Sequence, residues 1–196
     1  MPRLTNSVVA AGSLARLTQP VLEGDGVVLR PWQRADAPAV VAAYRDPGIL
    51  QWHARSMDED EALAWIDAWP TRWRQESDCG WAVTGQGGVL GQIALRGVRL
   101  DAGTAGISYW VLPQARGRRV APRALAAVTA WSFEVLGLHR IEINHSMLNQ
   151  ASCRVAERAG YRAEGVKRSE ALHADGWHDM HSHARIATDP AVVNFP

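Results

Sequence analysis

The chain has 196 residues, of which 47% are hydrophobic and 21% are charged, and its formal net charge is +1. This length and hydrophobic content suit one domain with its own core, and the near-neutral charge argues against a general nucleic-acid-binding protein. Two cysteines make no disulfide framework, which fits a reducing compartment. Neither a membrane-length apolar run nor a signal-peptide pattern is found, so we expect a cytoplasmic protein that does not bind membranes.

The sequence predicts one domain behind a short leading segment. Residues 1–22 mix small, polar and apolar types without a sustained period, so we interpret them as a tail or arm ahead of a single domain at 23–190. The predicted elements, in chain order, are a strand at 27–30, a helix at 35–44, a turn at 46–48, a helix after the capping-box pattern 56–59, a hairpin at 81–95, a strand at 104–112, a helix beginning near Pro122, a strand at 140–144, a helix at 150–158, and a hairpin with arms at 168–173 and 177–186.

A basic, glycine-containing turn links the strand at 104–112 to the helix near Pro122. It reads Arg116-Gly117-Arg118-Arg119-Val120-Ala121-Pro122-Arg123 and so contains four arginines. The first N–H groups of a helix have no partner inside the helix, and the helix dipole adds partial positive charge there. The turn therefore predicts an anion site of the kind that holds phosphate groups. The structural alternative is a basic surface loop that caps an ordinary helix.

A second motif, residues 149–165, opens the predicted helix at 150–158. Asn149 and Ser152 are three residues apart and share one face of its first turn. They could form a binding surface there, or Asn149 could be only the N-cap and Ser152 an incidental serine.

Both motifs resemble those of a known family. The basic turn resembles the coenzyme A pyrophosphate loop of the GCN5-related N-acetyltransferases (GNAT), in which Gln or Arg is followed by two residues, Gly, one residue, and Gly or Ala. Arg116 and Ala121 match the two ends, and Gly117 matches a glycine common beside the first position, but Arg119 replaces the middle glycine. Segment 149–165 resembles the signature of the RimJ/RimL group, the ribosomal-protein N-terminal acetyltransferases and their relatives.

The resemblance implies a fold and an activity. The fold would be α+β, with a central mixed, mostly antiparallel sheet of about seven strands flanked by about four helices. The chain would be an N-acetyltransferase that uses acetyl-CoA as co-substrate, acts on a primary amine in a ternary complex, and forms a homodimer. Its acceptor would be a protein N-terminus or a small amine, defined by residues 48–52 and 173–178.

The resemblance also implies roles for particular residues. Backbone N–H groups of a bulged strand that splays from its neighbour, above all that of Val111, would bind the thioester oxygen. Glu170 would be the general base, with Glu142 as the substitute candidate, and Ser152 would hydrogen-bond or protonate the leaving thiolate. The expected catalytic residues are Glu170 and Ser152, and the expected CoA-binding residues are Trp110, Val111, Arg116, Gly117, Arg118, Arg119, Val120, Ala121, Asn149 and Ser152.

Several alternatives stay open at this point. Glu170 could be a solvated strand carboxylate paired with Arg168. The chain could be a CoA-binding pseudoenzyme, a regulatory interaction module, or a transferase for another acyl group such as succinyl.

Two further chemistries are not expected. A covalent intermediate on Cys153 is disfavoured, because no histidine lies beside it in the sequence and its helical phase differs from that of Ser152. No metal is expected either, since His181 and His183 would need a further ligand from another element.

Overall fold

The fold is an eight-stranded sheet covered by helices, described in a computed structural model for residues 5–191. The strands are β1 Leu22–Gly24, β2 Val27–Pro31, β3 Cys79–Gly85, β4 Gly88–Arg99, β5 Thr104–Val111, β6 Arg140–Ser146, β7 Arg162–His173 and β8 Gly176–Ile186. The helices are α1 Ala37–Ala43, α2 Pro47–His53, α3 Glu59–Asp67, α4 Trp69–Arg74, α5 Val120–Glu134 and α6 Gln150–Arg158. The predicted α+β class is confirmed, with eight strands and six α-helices in the described chain where about seven and about four were expected.

The strand order is β1-β2-β3-β4-β5-β6-β8-β7, and every neighbouring pair is antiparallel except β5 with β6. Side chains alternate between the two faces of the sheet, so Trp81 joins a core with α5 and α6, whereas Ala82 joins a second core with α1 to α4. Each sheet face is therefore covered by its own helix layer.

Local signals explain where the prediction of helices was wrong. Asp46, read as the start of a turn, is the N-cap of α2, its side chain accepting from the Ile49 N–H, and Pro47 begins the helix. The capping box is formed by Asp58 and Glu61, two residues later than expected. Pro70 has no N–H to continue the ladder, so the predicted second helix is divided into α3 and α4.

The leading segment packs onto the domain. Val9 and Leu14 are 8% and 0% exposed and belong to the core of α5 and α6. The Glu76 carboxylate accepts the backbone N–H groups of Gly12, Leu14 and Ala15 at 2.7, 2.8 and 3.0 Å. The described part of residues 1–22 therefore lies against the fold, while the domain boundary at 22 stays a prediction. Within residues 5–191, the helices lack the length and apolar character needed to cross a bilayer.

Candidate active site

A cavity opens where β5 and β6 separate. The two strands pair only from Thr104 to Gly106 with Arg140 to Glu142, and β6 then continues to Ser146 alongside β8. The cavity between them has a volume of about 630 Å³, which lies in the usual range for small-molecule sites. The expected splay is present. The expected bulge in β5 is not, because its register with β4 is continuous from Val111 to Gly106.

The basic turn forms one end of this cavity. Helix α5 begins at Val120, two residues before Pro122 as the sequence predicts, and its first turn carries no acidic side chain that would repel an anion. Gly117 and Arg119 both adopt left-handed backbone, with φ of 74° and 56°. Arg119 thus keeps a conformation that favours glycine. Of the six turn residues expected to bind CoA, Arg116, Gly117, Arg119, Val120 and Ala121 line the cavity and Arg118 does not.

Arg116 ties the turn to two other elements. Its guanidinium forms an ion pair with Asp46, the N-cap of α2, and its Nε donates to the Val111 carbonyl at 3.3 Å. A bound phosphate at this turn would compete with Asp46 for the same guanidinium.

The hydrogen-bond pattern of β5 leaves Val111 free to face the cavity. Leu112 N–H donates to the Leu90 carbonyl of β4 at 2.9 Å, and Trp110 lies opposite Gln92 two residues earlier. Along a strand, the backbone N–H groups of successive residues point alternately toward one neighbouring strand and the other. Because Trp110 and Leu112 face β4, the N–H of Val111 points away from β4 and toward the separated β6. The Trp110 indole instead packs in the second core with Trp32 and Tyr44, and the Trp110 backbone faces β4 opposite Gln92. Trp110 lines the cavity, but its expected binding role stays a prediction.

Asn149 and Ser152 meet the cavity at the start of α6. Asn149 is the N-cap, and its Oδ1 accepts the Ser152 N–H at 3.0 Å, which leaves its amide nitrogen for a ligand. Both residues line the cavity. Tyr109, whose hydroxyl donates to the Ser152 carbonyl at 3.4 Å, was missed at the sequence level; its place two residues before Val111 on β5 was the available signal. Burial raises the Tyr109 pKa to about 12, so this hydroxyl stays protonated.

Neither glutamate proposed as base lies in the cavity wall. Glu170 forms a 2.9 Å ion pair with Lys167, where a pairing with Arg168 had been the alternative. It sits in a stretch of β7 where the register with β8 shifts between Lys167 and Ala171. Glu142 accepts from Arg140 Nε at 2.7 Å. The role of Glu170 stays a prediction that rests on resemblance.

A hydrogen-bonded chain of three side chains was not anticipated. Ser146, at the end of β6, lines the cavity, and its Oγ lies 2.8 Å from His178 Nδ1. His178 Nε2 lies 2.9 Å from Asp175 Oδ1. An aspartate at Nε2 keeps the proton there, so His178 Nδ1 can accept the Ser146 hydroxyl proton. Ser146 lies 32 residues before His178 in the sequence, and Asp175 lies three residues before His178 at the β7–β8 turn. No spacing pattern in the sequence indicates that these three side chains meet.

The two acceptor-side segments named from the sequence contact each other, and the segment 48–52 lines the cavity whereas 173–178 does not. The Trp52 ring contacts His173 and His178, with centroids 6.0 and 6.4 Å apart, and His173 Nδ1 lies 3.3 Å from the Gln51 carbonyl. Helix α2 and the β7–β8 hairpin therefore share one aromatic cluster, formed by Trp52, His173 and His178, of which Trp52 lines the cavity.

Cys153 does have histidine neighbours, contrary to the sequence-based reasoning. Its sulfur lies 3.7 Å from His181 Nδ1 and 3.8 Å from His183 Nε2. Even so, Cys153 is not among the cavity-lining residues, and burial together with Glu157 raises its thiol pKa, opposite to what a nucleophile needs. A covalent intermediate remains disfavoured.

Comparison with known proteins agrees with this geometry. Residues 27–162 match the model of the acetyltransferase (GNAT) domain family. The chain is 30% identical over 144 residues to the Bacillus subtilis protein named "Putative ribosomal N-acetyltransferase YdaF", covering 74% of this chain and 69% of that protein. It is 24% identical over 153 residues to the protein of the same organism named "Uncharacterized N-acetyltransferase YoaA", covering 76% of this chain and 86% of that protein.

Solved structures share the fold. Mycobacterium smegmatis RimJ, in complex with CoA-disulfide, is similar with a TM-score of 0.77 and 26% identity, covering 88% of this chain and 90% of that one. RimL, the ribosomal L7/L12 α-N-protein acetyltransferase, in complex with CoA, has a TM-score of 0.79 at 18% identity, covering 85% and 98%. The family match, the sheet that separates at β5 and β6, and the helix that begins at the basic turn together show that the chain belongs to the GNAT family of N-acetyltransferases.

Proposed function

We propose that the chain transfers an acetyl group from acetyl-CoA to a primary amine by direct attack in a ternary complex. The observation that carries this proposal is the continuous cavity from the basic turn, past Val111, to Asn149 and Ser152. Its basic end has the helix N-terminus and guanidinium groups that a diphosphate needs. Its central part has a backbone N–H and small polar side chains suited to an amide-bearing arm and a thioester.

The chemistry follows from what each group can donate or accept. The amine nitrogen attacks the thioester carbon, and the Val111 N–H stabilises the negative charge that develops on oxygen. The carbon–sulfur bond then breaks, and Ser152 donates a hydrogen bond to the departing thiolate, whose free pKa near 8.5 already makes it a fair leaving group.

We assign the proton released by the amine to Ser146 and His178. Ser146, which lines the cavity, takes up the amine proton on Oγ as it passes its own hydroxyl proton to His178 Nδ1, while Asp175 accepts from the protonated Nε2. Glu170 points instead at Lys167 on the surface. His178, like Glu170, is not a cavity-lining residue, but its hydrogen bond to Ser146 connects it to the cavity, and for this reason we propose it over the glutamate that resemblance assigns.

The acceptor we propose is a protein N-terminal α-amine. Its pKa of about 7.7 to 8 leaves a useful uncharged fraction at neutral pH, whereas a lysine amine near 10.4 is almost wholly charged. Trp52, the member of this aromatic cluster that lines the cavity, offers an apolar wall for a first side chain.

The test is an acyl-transfer assay with a peptide panel. The tag-free chain is incubated with acetyl-CoA or succinyl-CoA and either free N-terminal peptides or N-terminally blocked lysine peptides, and product mass is measured. We expect an acetyl mass increase on free N-termini, with little on blocked peptides. Absence of any product from folded protein that binds CoA would contradict the proposal and support the pseudoenzyme alternative.

Two variants separate the candidate bases. His178→Gln keeps the size of the ring side chain but cannot take up a proton, and Glu170→Gln does the same for the glutamate. We expect a loss of at least tenfold in kcat/KM for His178→Gln, in line with general-base catalysis. A loss confined to Glu170→Gln would refute the route through His178.

A further inference from the structure

Four metal-ligating side chains converge from three elements beside the cavity, and one of them, His145, also lines it. They are His145 at the end of β6, Cys153 on α6, and His181 and His183 on β8. One ligand atom from each lies within 4.8 Å of all the others. The sequence supplied only the two histidines of β8, and the fold brings the two missing ligands.

The spacing suits one tetrahedral ion. Zn–N bonds of about 2.0–2.1 Å and a Zn–S bond of about 2.3 Å place tetrahedral nitrogen pairs about 3.3 Å apart and nitrogen–sulfur pairs about 3.6 Å apart. His181 Nδ1 and His183 Nε2 are 3.1 Å apart, and Cys153 Sγ lies 3.7 and 3.8 Å from them. Only small adjustments separate these three atoms from tetrahedral spacing, and the His145 ligand atom, within 4.8 Å of each of them, would move closer to complete the shell.

Hydrogen bonds to backbone carbonyl groups outside the cluster fix the orientation of two of the imidazole rings. His145 Nδ1 lies 2.8 Å from the Ser146 carbonyl, and His183 Nδ1 lies 3.4 Å from the Tyr161 carbonyl. A carbonyl only accepts, so each Nδ1 carries the proton and each Nε2 presents a lone pair toward the cluster. Such outer contacts are what fixes the tautomer of a metal-bound histidine.

His145 provides the observation that hydrogen bonding alone does not explain. Without a metal, His181 can donate to His183 Nε2, and that pair is satisfied. His145, only 6% exposed, keeps an Nε2 with no hydrogen-bond partner among the described residues. A buried nitrogen without a partner is costly, and a cation would supply one.

We propose that these four residues bind one Zn²⁺ ion. Three imidazoles and one thiolate form a donor set that suits zinc, and four protein ligands leave no open position, as in structural sites. The ion would fasten α6, which carries Asn149 and Ser152 in its opening turns, to β6 and β8. On binding, the Cys153 sulfur loses its proton to solvent and forms the metal bond.

The test uses the full chain with any affinity tag removed. Protein stripped with a chelator is titrated with Co²⁺, which reports thiolate ligation through charge-transfer absorption, and Zn²⁺ is then added to displace it. We expect saturation at about one ion per chain, about one proton released per ion, and a higher melting temperature with Zn²⁺.

Matched variants decide between a site and general surface binding. Cys153→Ser removes the thiolate and is expected to abolish the charge-transfer band, and His181→Gln is expected to weaken binding by at least tenfold. His139→Gln, an exposed histidine outside the cluster, is the control and should bind as the parent does. Failure of the stripped, folded chain to retain Zn²⁺ on dialysis, or equal binding by Cys153→Ser, would overturn the proposal. None of these readouts requires CoA or activity, so they are independent of the proposed reaction.

Discussion

Replacing Val111 by proline removes the single backbone donor that the mechanism assigns to the thioester oxygen. The N–H of Val111 points away from β4, because Leu112 and Trp110 make the neighbouring ladder bonds. Proline at this position therefore removes no sheet hydrogen bond. The residue before it, Trp110, is in strand β5 and already has the extended backbone that a residue before proline prefers. Val111→Ala keeps the N–H while shortening the side chain, so it is the matched control.

Loss of one oxyanion donor lowers kcat by about 10²–10³-fold, which corresponds to about 2.7–4 kcal/mol of transition-state stabilisation. We expect Val111→Pro to show this loss relative to Val111→Ala in steady-state thiol-release assays, with similar melting temperatures for the two variants. If the two variants turned over within threefold of each other while both bound CoA, the N–H of Val111 would not be the donor.

Three further predictions concern the turn, the leading segment and the packing of β4 against β5. Arg119→Gly should melt about 2–8 °C higher than Arg119→Ala, because φ of 56° costs a residue with Cβ about 1–2 kcal/mol; equal melting temperatures would argue against strain at this position. Burial raises the Glu76 pKa, but hydrogen bonds from three backbone N–H groups outweigh burial, and the pKa in the folded chain is lowered. The ionised Glu76 carboxylate should therefore stabilise the fold above about pH 4.3, and this stabilisation should be lost as the pH falls through the lowered pKa. Melting curves from pH 3 to 7 should therefore converge for the parent and Glu76→Gln at the acid end, and a constant difference would contradict this. Gly91→Ala would place a Cβ 2.4 Å from the Trp110 carbonyl oxygen and should destabilise the chain by about 1–3 kcal/mol, whereas Gly87→Ala, with open space around it, should be near neutral in denaturant unfolding.

The sequence predicted the parts of the site that are local. The start of α5 followed from Pro122 and the basic turn, and Asn149 with Ser152 followed from helical spacing, because each depends only on neighbours along the chain. The splay of β5 from β6 came from resemblance and agrees with the pairing that stops at Gly106.

The parts that were missed depend on distant residues meeting in space. Ser146 with His178, and Cys153 with His181, are joined only by the antiparallel pairing of β6 with β8 and by the packing of α6. A sequence pattern holds no information on such pairings until the register is known. The errors in α2 and in the capping box differ in kind, since Asp and Pro signal both turns and helix starts, and only the following residues decide.

The most direct test of the account is a calorimetric titration of the purified chain with CoA and, in parallel, with pantetheine, which lacks the diphosphate. We predict one CoA site with a dissociation constant well below millimolar, weakened by salt, and far weaker pantetheine binding, because in the proposed complex the N-terminus of α5 and the arginines of the turn bind the diphosphate. Equal binding of the two compounds, or no heat from CoA at millimolar concentration with folded protein, would contradict it.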